Sequence, residues 1–456
     1  MTGIASPALD GSLHFHRAPP IGDLLAAAHT AAERLLGPYG VVRHCTQYPQ
    51  VEGLPTAPIF VARGPKRGFG GRNPGFDVVG MGVSDDRDDA RLKALIEAVE
   101  RYCFAWPHDP LLVERHPYRD VRAVAIAPEQ VRPYSGAQYR ARPSLRFPGP
   151  DDPIDWAWAY SLTRESFVLV PASLALSSVG FRPPNNYVVS GSSTGVACHV
   201  SVEAALLAGL LEVVERDAIM LHWLHSRQPP RIVVDPVADA EPAALLRAHF
   251  DRAEFEFTLF DITADTGIPV VCCRASGTDP GRPASAFGAA CRPDPAAAAR
   301  KALFECAQVL AGLHGLGCDA RSSFPASDVR DIWDHARYYA SAANVGAVEH
   351  FAGSAERVGL GELPRLGTGD AATDLRRCVE RLAALDLEVL CVDLTPADVA
   401  AAGLRTVKVL VPGMVDINGD ARLPQLGPAR LRLAAGALGW PPFDEASANP
   451  APCPMS

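Results

Sequence analysis

Apolar positions recur along this chain with two periods, and the switches between them mark the elements. Gly22 to Gly37 (GDLLAAAHTAAERLLG) has helical spacing, and the runs VVRHCTQY and PIFVAR after it read as short strands. Three longer stretches, about Asp88 to Phe104, Val202 to Leu224 and Pro295 to Leu313, are predicted helices. Runs such as FVLVPASLAL and PVVCCRAS between them are strand-like, and Asp328 to Gly353 reads as one more helical stretch. A charged helix around Asp374 to Leu385 precedes two further strands, EVLCVDL and TVKVLVP. The alternation is too irregular for a strict βαβ rhythm, so the expected fold is α+β, with long helices over mixed or antiparallel sheets. No internal repeat of 20 to 50 residues is visible. The expected organisation is a flexible arm over 1–20, a helix and strands over 21–75, a large domain over 76–440 and a proline-rich tail over 441–456.

Composition narrows the class. With 48% hydrophobic and 21% charged residues over 456 positions, the chain buries a sizeable core, and disordered, collagenous and coiled-coil readings fail. A net charge of −9 gives no basic footprint for nucleic acid, and no apolar run approaches the length of a membrane span. Eleven cysteines is an odd count with no CxxC pair, which argues against structural zinc. Cys103, Cys306 and Cys391 lie in apolar runs, where a free cysteine behaves as a small hydrophobe. A cytoplasmic location is the expectation, because the first residues carry no basic segment followed by an apolar one.

The chemistry concentrates in a repeated pentapeptide, Glu97-Ala-Val-Glu100-Arg101 and Glu212-Val-Val-Glu215-Arg216. In each copy the two glutamates stand three apart and share a helix face. The second copy lies in an almost wholly apolar helix, where carboxylates without partners would be heavily destabilising. The third helix repeats the theme, with Lys301, Glu305 and Gln308 interrupting an apolar surface. Two readings fit. One is a buried ion-pair network, in which Lys93, Glu97 and Arg101 form an i, i+4 ladder. The other is a hard-cation site, since an all-oxygen ligand set suits Mg²⁺, and Mg²⁺ held by a few carboxylates usually takes nucleotide phosphates as further ligands.

Other features carry less. His222 and His225 lack a third ligand nearby and read as packing residues. The basic, glycine-rich segment Gly64 to Gly75 matches no phosphate-loop or dinucleotide motif and reads as a surface loop. Ser190 to Gly195 reads as a capping loop before the second glutamate helix, with anion binding as the alternative. The tail Pro450-Ala-Pro452-Cys-Pro454-Met-Ser456 favours polyproline II, and by itself reads as a frayed terminus.

Four stretches, ALIEAVERYC, SSTGVACHVSVEAALLAGLLEVVERDA, AFGAACRPDPAAAARKALFECAQ and VDLTPADVAAAGLRTVKVLVPGM, occur in an order and spacing that resembles the YcaO family. Within it, the chain is similar to the cyclodehydratase components that install azoline rings in ribosomally made peptides, as in thiazole/oxazole-modified microcins. The resemblance runs from about Gly37 to the end. It implies a YcaO domain over 76–440 and an ATP-dependent enzyme whose nucleotide lies with Mg²⁺ in a carboxylate-rich cleft. It implies that Glu97, Glu100, Glu212, Glu215 and Glu305 are metal ligands and that Arg216, Lys301 and Gln308 contact nucleotide. It also implies that the tail prolines Pro450, Pro452 and Pro454 reach toward the active site and help order it.

The implied reaction is cyclodehydration of Cys, Ser or Thr in a precursor peptide, with ATP phosphorylating the backbone amide oxygen. A separate E1-like partner that captures the leader peptide is expected, as is a homodimer. The chain departs from the family at Met81, Lys93, Val200 and Ala204, where nucleotide-contacting side chains usually stand. Two other readings therefore stay open: YcaO-type thioamide or amidine formation, and a non-catalytic YcaO-like scaffold.

Overall fold

The computed structural model describes residues 21–65, 78–106, 108, 111–177 and 191–455. Among them the α+β expectation holds, with three sheets and long helices between them. An antiparallel sheet of three strands runs His44–Gln47, Ile59–Arg63, Val79–Val83. A second sheet is ordered Leu112–Pro117, Pro153–Ser161, Leu390–Asp393, Arg405–Leu410, Val196–His199, with Ser166–Pro171 also paired to Pro153–Ser161. The third is ordered Ser285–Cys291, Val270–Gly277, Phe255–Asp261, Arg231–Val233, Arg357–Gly359, its last pairing parallel and the others antiparallel.

The PVVCCRAS run is continuously apolar because its sheet is covered on both faces. Val271 and Cys273 enter a core with the third glutamate helix, and Val270 and Cys272 enter another with the second. The second glutamate helix is the centre of the fold, with seventeen of its residues buried between sheets.

Two predicted elements change shape. FVLVPASLAL does not continue as a strand: it ends at Pro171, whose conformation caps a short helix at Ala172–Ala175. Asp328 to Gly353 is not one helix. Asp331 caps a helix at Ile332–Ala340, Ser341 breaks it in an extended conformation, and a 3-10 turn follows at Ala342–Val348. The arm over 1–20 and nearly all of the Gly64 to Gly75 segment lie outside the described residues.

Candidate active site

Each glutamate helix follows the edge strand of a different sheet through a short capped turn. Val79–Val83 leads to Arg87–Ala105 with Asp86 accepting the N–H of Asp89. Val196–His199 leads to Val202–Leu224, with Ser201 accepting from Ala204, and Ser285–Cys291 leads to Pro295–Gly315, with Asp294 accepting from Ala296. In all three units a glycine stands seventeen residues before a glutamate: Gly80 and Glu97, Gly195 and Glu212, Gly288 and Glu305. Three residues further on come Glu100, Glu215 and Gln308. The glycines are there because backbones meet. A Cβ on Gly80 would strike the Ala94 carbonyl, one on Gly288 would strike the Cys306 backbone nitrogen, and Gly195 has φ +81.

The glutamate theme was legible in all three helices, but not the glycine-bearing strand that precedes each copy. The units recur at long, unequal separations and share only a few positions, so periodicity does not expose them.

The carboxylates follow the same symmetry. Glu97 accepts the Met81 N–H at 2.9 Å and Glu212 accepts the Gly195 N–H at 3.0 Å, each within its own unit. Glu100 crosses to accept from Cys198 of the second unit, and Glu215 crosses to accept from Cys291 of the third, both at 2.9 Å. The helices pack in the same order: the first on the second unit's strand, the second on the third's, and the third back on the first's. Three helix faces thereby converge. Each is buried except for a polar stripe, in which Glu97, Glu100, Glu212, Lys301, Glu305 and Gln308 keep partial access to solvent while Glu215 is buried.

Charge in this cleft is unevenly compensated. Arg101 lies 3.2 Å from Glu97, and Arg216 lies 3.6 Å from Glu212 and 3.9 Å from Glu215. Lys301 pairs with Glu305 on its own helix. Burial still pushes the Glu100 carboxyl up to about 8, helped by the neighbouring charge of Glu97 and opposed by the Cys198 N–H and Arg101. Burial raises Glu212 as well, against the pull of Arg216. Lys301 is pushed down to about 8 by burial, although Glu215 and Glu212 favour its charged form. Carboxylates that remain raised beside arginines mark a place where further positive charge would be stabilised. The donors are all oxygen and stand on separate helices, but among the described residues no group of three or more Asp, Glu, His or Cys side chains is gathered closely enough to hold a metal ion.

The ladder expected on the first helix is only half formed, since Lys93 pairs with Asp89 at 2.7 Å and Glu97 is left to Arg101. Three charged residues beside the cleft escaped the sequence reading. Arg292 is electrostatically linked to Glu215 and Glu212, and it stands four residues after Gly288 where the other two units have Ser84 and His199, so the repeat gives no signal for it. Lys408 is buried in an apolar strand, donates to the Ser192 carbonyl and lies 4.8 Å from the Phe104 ring centre. A lone lysine in TVKVLVP was the available signal. Asp416 lies within electrostatic range of both Arg216 and Lys408.

The lesser candidates resolve simply. The Ser192 and Thr194 hydroxyls donate to Asp416, and the second helix is capped by Ser201, so the segment from Gly191 to Gly195 does not cap that helix, while Ser190 lies outside the described residues. His222 and His225 bond the Ala218 and Leu431 carbonyls and pack on Trp440. The tail is not frayed: Pro452 to Met455 are buried, and the Cys453 thiol lies within electrostatic range of Arg216.

Residues 81–415 match the family profile described as YcaO cyclodehydratase, ATP- and Mg²⁺-binding. The chain belongs to the YcaO family. Its cofactors are accordingly ATP and Mg²⁺. An uncharacterized protein of Methanothermobacter thermautotrophicus is 30% identical over 348 residues, which is 74% of this chain and 82% of the relative. Among solved structures, a heterocyclase in complex with substrate and cofactor matches 97% of this chain and 59% of its own with a TM-score of 0.78 and 23% identity. The heterocyclase TruD matches 80% of this chain and 50% of its own with a TM-score of 0.65 and 27% identity. YcaO from Methanopyrus kandleri bound with AMPPCP and Mg²⁺ matches 82% of this chain and 86% of its own, with a TM-score of 0.57 and 22% identity. The chain thus spans 59% and 50% of the length of the two heterocyclases. Among the described residues no helix is long and apolar enough to cross a membrane.

Proposed function

We propose that this YcaO protein is the ATP-consuming component of a peptide cyclodehydratase that forms thiazolines or oxazolines in a ribosomally made precursor peptide. An E1-like partner would present the peptide by its leader, and the YcaO domain would span 76–440 as a homodimer. The observation that carries the reading is the tail, which is buried from Pro452 to Met455 and tied to the helix of Glu212, Glu215 and Arg216, the Trp223 Nε1–H donating to the Ala451 carbonyl and the Asn449 N–H to the Leu224 carbonyl. Similarity to the heterocyclase TruD supports the same branch.

In this reading Glu97, Glu100, Glu212, Glu215 and Glu305 hold Mg²⁺, which would neutralise phosphate charge. Arg216, Lys301 and Gln308 face the nucleotide, and Pro450, Pro452 and Pro454 order the reacting end of the cleft. A substrate thiol or hydroxyl loses its proton and bonds to the preceding amide carbon, leaving an oxyanion. That oxygen takes the γ-phosphoryl of ATP, releasing ADP. The amide nitrogen then loses its proton as the C–O bond breaks and phosphate departs, closing the C=N bond. Phosphorylation is needed because an amide oxygen is a very poor leaving group, and the cations of the cleft stabilise the charge in transfer.

Calorimetric titration of Mg–ATP into the wild-type chain and into Glu215→Gln tests the nucleotide assignment, and mass spectrometry of a reconstituted peptide reaction tests the chemistry. Saturable binding lost in the variant, and loss of one water per modified residue, are expected. Exchange of oxygen for sulfur would instead identify thioamide formation. Absence of wild-type binding would favour the scaffold reading, to which Met81, Lys93, Val200 and Ala204 point.

A further inference from the structure

Proline lacks an N–H, so a tail with prolines at 450, 452 and 454 presents mostly carbonyl oxygens when buried. Each buried carbonyl needs a donor. The structure supplies three side-chain donors for three consecutive carbonyls. The Trp223 Nε1–H donates to Ala451 at 3.0 Å, the Tyr339 hydroxyl to Pro452 at 2.6 Å, and the His335 Nδ1–H to Cys453 at 2.7 Å. All three rings are buried.

Their placement ties the tail to the cleft. Trp223 lies on the helix that carries Glu212, Glu215 and Arg216, eight residues beyond Glu215 and so about 12 Å along the axis. His335 and Tyr339 stand one turn apart on Ile332–Ala340, and Tyr339 packs edge-on to Trp223 with ring centres 6.3 Å apart. The other His335 nitrogen lies 3.0 Å from the Gly419 carbonyl, on the segment that carries Asp416. Upstream, the Asn449 N–H donates to the Leu224 carbonyl, and downstream Cys453 and Met455 sink into the core built around the Trp223 helix.

We propose that Trp223, Tyr339 and His335 are positioning residues, a clamp that grips three successive tail carbonyls and holds the prolines at the end of the glutamate cleft. The inference rests on the function proposed above, because it gives the tail a part in the reaction. None of the three touches the glutamates, so their effect on catalysis passes through the tail.

The test uses the full chain. Cys453 is alkylated with N-ethylmaleimide and followed by mass spectrometry of the C-terminal peptide, while phosphate release from Mg–ATP is measured in parallel. Tyr339→Phe, His335→Leu and Trp223→Phe each remove a donor and keep most of the ring or side-chain volume. Each is expected to raise Cys453 labelling about tenfold, the scale of losing one buried hydrogen bond from a local opening equilibrium. Cys306 and Cys378, buried elsewhere, should stay protected and so report an intact core. Turnover should fall in kcat with little change in the KM for ATP, because the glutamates and Arg216 are untouched.

Unchanged Cys453 labelling in the double variant of Tyr339 and His335 would overturn the clamp. Faster labelling with unaltered kcat would overturn its role in the reaction. Deletion of residues 450–456 separates this inference from the reading beneath it. Turnover that survives deletion removes the tail from catalysis, whereas turnover lost on deletion but kept in every clamp variant overturns the clamp alone.

Discussion

The carboxylate of Glu100 accepts the backbone N–H of Cys198 at 2.9 Å, and so joins the first glutamate helix to the strand that feeds the second. Glu215 makes the corresponding bond to Cys291 in the third unit. The residues that gather charge in the cleft are therefore also the ones that stitch the three units together. Chemistry and architecture are separable only by a substitution that keeps the acceptor and removes the charge.

Glu100→Gln is that substitution. Its amide oxygen still accepts from Cys198, and the change removes a carboxyl that burial and Glu97 already push up to about 8. The thermal midpoint is expected to hold or rise while Mg–ATP affinity falls by about tenfold or more. Differential scanning calorimetry beside isothermal titration reads both, and a variant that binds Mg–ATP as well as wild type would remove Glu100 from the ligand set.

Gly288→Ala should destabilise the fold, because the new Cβ meets backbone atoms of Cys306 and Glu305 rather than a movable side chain. A loss of about 1–3 kcal/mol, the usual scale of overpacking, is expected in denaturant unfolding. Gly361→Ala is the control, since a Cβ there meets nothing within 4 Å.

Arg430 is buried between Asp217 and Asp265, at 2.8–2.9 Å from the former, and it satisfies two carboxylates removed from water. Arg430→Met leaves both without their cation and should destabilise by about 3–5 kcal/mol. A restored midpoint in the triple variant Arg430→Met, Asp217→Leu, Asp265→Leu would show that the penalty lies in the uncompensated charges.

Acid should unfold the protein partly through His222. Burial holds this imidazole down to about 4, with its ordinary value of 6.5 regained on unfolding. Between those values the unfolded chain binds the extra proton, so this contribution is complete above 6.5 and is lost as pH falls toward 4, by about 3 kcal/mol in full. His222→Phe keeps a ring against Trp440 and should flatten the pH dependence of urea unfolding across that window. An identical slope in the variant would show that other groups set the acid limb.

The sequence was informative where a local rule governed the outcome. Helical spacing located the three glutamate helices to within two residues at either end, because an apolar stripe must face a core whatever lies opposite. The cost of burying Glu212 and Glu215 required that they find partners. The Glu97/Glu100 and Glu212/Glu215 pairs were already on shared helix faces in the sequence, and the order of the motifs carried the family.

What the tertiary structure alone decided is which faces meet. Contacts such as Glu100 to Cys198, Glu215 to Cys291 and His335 to Cys453 join residues 98, 76 and 118 positions apart, and no local spacing encodes them. The three strand–helix units close into a ring because their edge strands belong to different sheets, a fact of chain crossing rather than of periodicity. The tail reads as a loose proline-rich end until Trp223, Tyr339 and His335 meet its carbonyls. With an N–H missing at Pro450, Pro452 and Pro454 and that of Ala451 given to the Asn449 side chain, the tail has few local donors for those carbonyls, and distant side chains fix its place.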